Sequence, residues 1–201
     1  MDHSGIAQPD IGAKKCRKGE SQGPGDRRAG PRGRGRFCYR KFLSVPDQAE
    51  LPDGNQALRE VVLHPGGVAI LPLDQDGTVT LVQQYRYPFH KILLELPAGK
   101  LDAGEDPQAA AARELGEETG LEAGELTYLG CILASPGFCN ERLHMYLARD
   151  LRRCQSHPDD DEFLNVVTMP FDELCRQVMN GTLEDAKTVA ATLKAKVLLN
   201  L

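Results

Sequence analysis

Three glutamates, Glu114, Glu117 and Glu118, are spaced i, i+3 and i+4 in a stretch whose other residues ask for a helix. Asp106-Pro107 suits a helix start, alanines fill positions 109–112, and Gly120 stands where a left-handed C-terminal cap belongs. A helix over residues 106–119 puts all three carboxylates on one face. Like charges at that spacing repel and destabilise the helix, and a divalent cation held between them removes the penalty. Carboxylate oxygens are the ligands that magnesium and manganese prefer. The competing account is an acidic face turned to water and paired with basic side chains. Only Arg113 is near in sequence, and no cation lies at i+4 from any of the three. On the glutamates alone the two accounts stand level.

The text around this helix is that of one mixed domain. Residues 61–63, 68–71, 78–82, 92–96, 126–133, 143–148 and 164–169 are short β-rich runs. The 68–71 run, the turn at Asp74–Gly77 and the 78–82 run read as a hairpin. Pro170 opens a second helix through Phe171, Leu174 and Val178, stopped by Asn180-Gly181. A last helix over 184–199 carries Ala186, Val189, Ala190, Leu193 and Val197 on its expected apolar face. Strands interspersed with three helices give an α/β domain, and 201 residues suffice for one core.

Charge is unevenly spread. The chain has a net charge of −5, yet residues 1–41 hold 11 of the 24 Lys and Arg and 4 of the 29 Asp and Glu. The remainder therefore carries a balance of −12, a poor surface for nucleic acid and a natural host for divalent cations. Residues 13–41 are rich in Gly, Arg and Pro without periodicity, and are expected to be poorly ordered. Arg32, Arg34 and Arg36 leave an RNA-binding arm as a secondary expectation, to be detected by a steep salt dependence. No apolar run is long enough for a membrane helix, and residues 1–16 lack the apolar core of a secretory signal. The six cysteines show no CxxC pair or metal-ligand spacing, so reduced, buried thiols in a cytoplasmic protein are expected.

From Gly99 through Glu105, Arg113-Glu114-Leu115-Gly116-Glu117-Glu118 and Gly120-Leu121, the chain fits GX5EX7REUXEEXGU at every fixed position, U being a bulky aliphatic residue. That segment resembles the Nudix box, and the resemblance runs from about Leu51 to the C-terminus. It implies a Nudix α/β/α sandwich with a mixed central sheet, a domain drawn here over 46–201 after an N-terminal segment of 1–45. It implies that Glu114 and Glu118 bind magnesium (or manganese), with Glu117 in or beside the same shell. The carbonyl of Ala98 is a further implied ligand. Glu105 and Arg113 are implied to pair, holding the box loop against its helix. The reaction it implies is hydrolysis of a pyrophosphate.

Ser135-Pro136-Gly137-Phe138 places a proline 16 residues beyond Gly120, as in the ADP-ribose pyrophosphatase subfamily. A plain Pro-Gly turn is the alternative account, and the position of the proline relative to the box favours the subfamily. The subfamily resemblance implies that Glu141 binds the terminal ribose and that Arg59 and Arg86 reach diphosphate or ribose, a task for which a guanidinium fork is suited. It implies a catalytic base or late metal ligand in the acidic run 159–162, with Glu162 first and Asp160 second. Asp185-Ala186-Lys187-Thr188 matches the subfamily as well. The expected substrate is ADP-ribose, cleaved to AMP and ribose 5-phosphate. The alternatives are another nucleoside diphosphate sugar such as GDP-mannose, or a non-catalytic ADP-ribose sensor. The subfamily's homodimers form through N-terminal strands, and residues 13–45 show no alternating strand and no tryptophan. Two origins fit that text: a divergent extension, or out-of-frame translation of a GC-rich gene start.

Overall fold

The structure is a computed structural model of the chain and describes residues 37–39, 42–154 and 164–200. At its centre is a four-stranded mixed sheet in the order β7-β4-β9-β8, made of β4 (Gly67–Pro72), β7 (Ala98–Lys100), β8 (Leu121–Ile132) and β9 (Leu143–Arg153). β4 and β9 run parallel, Ala69 opposite Met145 and Leu71 opposite Leu147, while the other pairs are antiparallel. Every residue of β4 is buried. A strand covered on both faces has no polar side, and this explains the unbroken apolar text of Val68–Leu71.

Alternation along these strands divides the core in two. Val68, Ile70, Tyr146 and Ala148 face Ala110, Ala111 and Leu115 of α1 (Pro107–Thr119). Ala69, Leu71, Met145 and Leu147 face the opposite layer, Leu174, Cys175 and Val178 of α2 (Phe171–Met179) with Ala191 and Ala195 of α3 (Ala186–Leu199). The result is an α/β/α sandwich with a mixed sheet, as the sequence led us to expect. A second sheet, β10-β5-β6, is antiparallel and consists of β5 (Thr78–Arg86), β6 (Lys91–Glu95) and β10 (Asn165–Pro170).

Four expectations need correction. The 68–71 and 78–82 runs do not form a hairpin. Asp74 and Gly77 close the turn and Leu73 bridges Val79, but β4 then pairs with β7 and β9, and β5 with β10 and β6. Both edges of β4 are thus already filled. The apolar face assigned to the last helix is only partly matched, for Val189 and Ala190 pack against the core but Leu193 and Val197 do not. Val197 is 77% exposed and Leu193 lies at the surface, while Thr188, Ala191, Thr192 and Ala195 are buried. Small side chains allow the helix to approach the sheet closely, and this packing overrides the larger apolar pattern.

Residues 13–45 are not free of strands either. β1 (Phe37–Tyr39) and β2 (Phe42–Glu50) form a three-stranded antiparallel sheet with β3 (Gln56–Leu63), in the order β1-β2-β3. Ser44 pairs with Val62 and Val45 with Val61, so a boundary at 45/46 cuts a strand. Phe42, Leu43 and Val45 are β-formers whose signal is diluted by the Arg- and Gly-rich text before them. Finally, of the described free thiols only Cys175 is buried; Cys131 is exposed, and Cys139 and Cys154 are half-buried. Burial pushes the Cys175 thiol up from its ordinary pKa. Most of the basic segment, and the acidic run that includes Asp160 and Glu162, lie outside the described residues.

Candidate active site

The helix carrying the glutamates is fixed at both ends. The Asp106 side chain accepts hydrogen bonds from the N–H groups of Gln108 (3.0 Å) and Ala109 (3.1 Å), and Pro107 occupies the first turn. Gly120, at φ +65°, ends the helix through its N–H to the Gly116 carbonyl. Between these caps the apolar side of α1 packs on β4 and β9 and its carboxylates turn toward β7. Glu114 is 8% exposed and Glu118 6%, so two of the three acids are buried.

Each acid has a partner. The backbone N–H of Ala98 donates to Glu118 Oε2 at 3.0 Å. The Glu114 carboxylate lies against Gly99, filling the space that a β-carbon there would need. Arg113 reaches Glu105 through Nε at 2.8 Å and NH2 at 2.9 Å, and through NH1 it meets Glu114 and Glu117, each at 2.8 Å. Its NH2 also donates to the Lys100 carbonyl. One guanidinium thus ties the box loop to the helix, the structural role implied for the Glu105–Arg113 pair. Arg113 holds the Glu105 carboxyl down to about 2, helped by the Asp102 N–H. In return Glu105, then Glu114 and Glu117, raise the Arg113 pKa.

Among the described residues, no group of three or more Asp, Glu, His and Cys side chains converges at metal-ligand spacing. One guanidinium nitrogen of Arg113 bridges Glu114 and Glu117, while the Ala98 N–H engages Glu118. The donor set nevertheless suits a hard divalent cation, since two buried carboxylates, Glu114 against Gly99 and Glu118 beside Ala98, line one cavity with a third acid, Glu117.

These acids line a cavity of about 820 Å3. Ala98 and Arg86 line it too. Arg86 forks onto Glu95 with Nε and NH2 both at 2.6 Å, and Glu95 is 1% exposed. Lys187, from the first turn of α3, is hydrogen-bonded to the same Glu95 and to Asp185 at 3.0 Å. Burial pushes the Glu95 carboxyl up, but Arg86 and Lys187 together outweigh it and hold the group below its usual range.

The Ser135–Asn140 loop, which also contributes to the cavity wall through Cys139, is laid along β3. Val62 donates to the Phe138 carbonyl (2.7 Å), Asn140 donates to the Val62 carbonyl (3.2 Å), and the His64 N–H donates to Asn140 Oδ1 (2.7 Å). This clamp places Glu141 in the cavity wall. The Gly66 N–H donates to His64 Nδ1, which leaves the imidazole proton on Nε2, 3.5 Å from Glu141 Oε1. Burial lowers the His64 pKa, the Glu141 charge raises it, and Lys100 lowers it again; the net direction is down.

The structure therefore gathers Ala98, Glu114, Glu117, Glu118, Arg86 and Glu141 around one space. It does not bring Arg59 there. Arg59 is exposed on β3, opposite Asp47, and its guanidinium meets the Leu58 carbonyl. Three residues of the site were given no role from the sequence: Glu95, His64, and Lys187, which entered only within the Asp185–Thr188 match. The acid inside the apolar run Ile92–Leu96 was a legible signal for Glu95, because a lone carboxylate there must be buried with a cation.

A model of the NUDIX domain matches residues 63–192. The chain is 40% identical over 157 residues to the methanol dehydrogenase activator of Bacillus methanolicus, spanning 77% of this chain and 85% of that protein. It is 40% identical over 147 residues to the ADP-ribose pyrophosphatase of Bacillus subtilis (strain 168), spanning 72% and 80%. Among solved structures, an ADP compounds hydrolase superposes with a TM-score of 0.73 at 25% identity, over 82% of this chain and 89% of that one.

Proposed function

The chain belongs to the NUDIX family, and from that premise we propose that it is a pyrophosphatase that hydrolyses ADP-ribose to AMP and ribose 5-phosphate. The observation that carries this reading is a single cavity whose wall holds both the box glutamates and the two residues suited to the rest of the substrate, Arg86 and Glu141. The identity to an ADP-ribose pyrophosphatase over most of both chains supports the choice of substrate.

Glu114 and Glu118, with Glu117 and the Ala98 carbonyl beside them, would hold a divalent cation. Magnesium, or manganese in its place, would when bound supply charge that offsets that of the diphosphate and would lower the pKa of a nearby water. Arg86 binds phosphate oxygens, because Glu95 fixes its guanidinium at the cavity wall. Glu141 accepts a hydrogen bond from a ribose hydroxyl; an acceptor held near His64 discriminates against substrates lacking that hydroxyl. Glu162, or Asp160, supplies the base that takes the water's proton. Water adds to one phosphorus, and the bridging oxygen leaves on the other phosphate.

Among the described residues no helix is long and apolar enough to cross a membrane. A role limited to sensing ADP-ribose does not require the full set of box carboxylates that this chain keeps. The test is product analysis with ADP-ribose and GDP-mannose as separate substrates, magnesium present. AMP from the first at a kcat/KM at least tenfold above GMP from the second supports the assignment. The reverse ranking replaces the substrate and keeps the reaction.

A further inference from the structure

Glu95 is a buried carboxylate to which two cations from different elements converge. Arg86 ends β5 and Glu95 ends β6, in one antiparallel pair whose register sets Val82 opposite Glu95 and Arg86 opposite Lys91. Two cations directly opposite each other repel. Lys91 turns away to Glu184, and Arg86 reaches back along the pair to Glu95. Lys187 arrives from α3, so that a single oxygen, Glu95 Oε2, accepts from both the guanidinium and the ammonium. Asp185 contributes the second negative charge.

This arrangement immobilises both cations without exhausting their donors. A lysine ammonium has three donors, and Glu95 and Asp185 take two of them. A guanidinium has five, of which Glu95 engages two. Arg86 and Lys187 both line the cavity that the box glutamates line, and Ala186 beside them brings the first turn of α3 to the same wall. We infer that Arg86 and Lys187, locked by the buried carboxylate of Glu95, form a two-cation grip on the substrate's phosphate oxygens. Lys187 is then a substrate-binding residue and Glu95 the positioning residue for both cations. The inference rests on the diphosphate substrate proposed above and adds to it Lys187, as a second cation beside Arg86 in the wall of the same cavity.

The competing role for Lys187 is to balance the charge of Glu95, and the two roles part in measurement. Lys187→Met is assayed for ADP-ribose hydrolysis with magnesium across a range of ionic strengths, and its thermal midpoint is recorded. The grip predicts a KM raised about tenfold to a hundredfold with kcat within a few-fold of the native value, as expected when one charge-assisted contact to bound substrate is lost. It also predicts a shallower rise of KM with salt than in the native protein, because one screened attraction is gone. Should Lys187→Met not fold, Lys187→Gln, which keeps a hydrogen-bond donor toward Glu95, is read in the same way. A KM within twofold of native, or a lowered thermal midpoint with an unchanged salt dependence, overturns the inference and leaves the proposed function standing. A native protein that turns over no nucleoside diphosphate sugar overturns both.

Discussion

The carboxylate of Glu114 occupies the place where a β-carbon on Gly99 would stand. The box glycine is therefore a steric condition on a proposed metal ligand. In Gly99→Ala, the atoms that must yield are the far end of a flexible side chain rather than backbone. The variant should fold, with Glu114 pushed out of its cradle. We predict a thermal midpoint within a few degrees of native and a magnesium concentration for half-maximal activity raised by about tenfold or more. An unchanged magnesium requirement would remove Glu114 from the metal site.

Gly116 is the weak point of α1. A β-carbon there would meet Cys154 Sγ at 3.8 Å and the Leu121 carbonyl at 3.9 Å, ordinary contact distances. Glycine inside a helix costs about 1 kcal/mol relative to alanine. Gly116→Ala should raise stability by about 0.5–1 kcal/mol and the midpoint by about 1–4 °C, read by calorimetry. A lowered midpoint would mean that α1 lacks the room described.

Thr188 joins the active-site wall to the core. Fully buried, it accepts the Leu96 N–H at 2.9 Å and donates to Asp185 Oδ2 at 2.6 Å. Valine preserves shape but strands a buried N–H, at a cost of about 1–3 kcal/mol. Thr188→Val should therefore lose that much in urea unfolding, while Thr188→Ser, keeping the hydroxyl, should lose clearly less. Equal losses would make the methyl group, not the hydroxyl, the stabilising part.

Arg113, helped by the Asp102 N–H, depresses the folded pKa of Glu105 from an ordinary 4.5 to about 2. A carboxylate with a depressed folded pKa adds stability that is complete above its unfolded pKa and is lost as pH falls through the folded one. The acid arm of the stability curve should therefore drop between pH 4.5 and about 2. Glu105→Gln should flatten that arm while lowering stability at neutral pH. An unaltered acid arm would show that Glu105 and Arg113 are not coupled in solution.

How much the sequence disclosed depended on how local the cause was. Asp106, Pro107 and Gly120 define α1 by short-range chemistry, and its ends agree with the structure to within a residue. The spacing of the box glutamates and Arg113 placed them on one helix, and the match of the surrounding residues to the box pattern, not the spacing, favoured a site over a solvated face. Strand partners were not legible. Nothing near Asp74–Gly77 says that β4 will be claimed by β9, whose residues lie some seventy positions later. Part of the buried face of α3 escaped for a related reason. The helix meets the sheet through Thr188, Ala191, Thr192 and Ala195, and close approach selects small residues rather than the most apolar ones. Glu95 and Lys187, 92 positions apart, meet only through that same packing.

The most direct test of the account is AMP release from ADP-ribose with magnesium, comparing the native chain with Glu118→Gln. Glu118 is a buried acid that the Ala98 N–H holds at the cavity, so the amide preserves shape while removing charge. The account predicts robust release by the native chain and at least about a hundredfold lower kcat in the variant, the scale of losing a main electrostatic group at a reacting phosphate. Equal rates in the two proteins would contradict it, because hydrolysis would then proceed without the carboxylate on which the metal site is built.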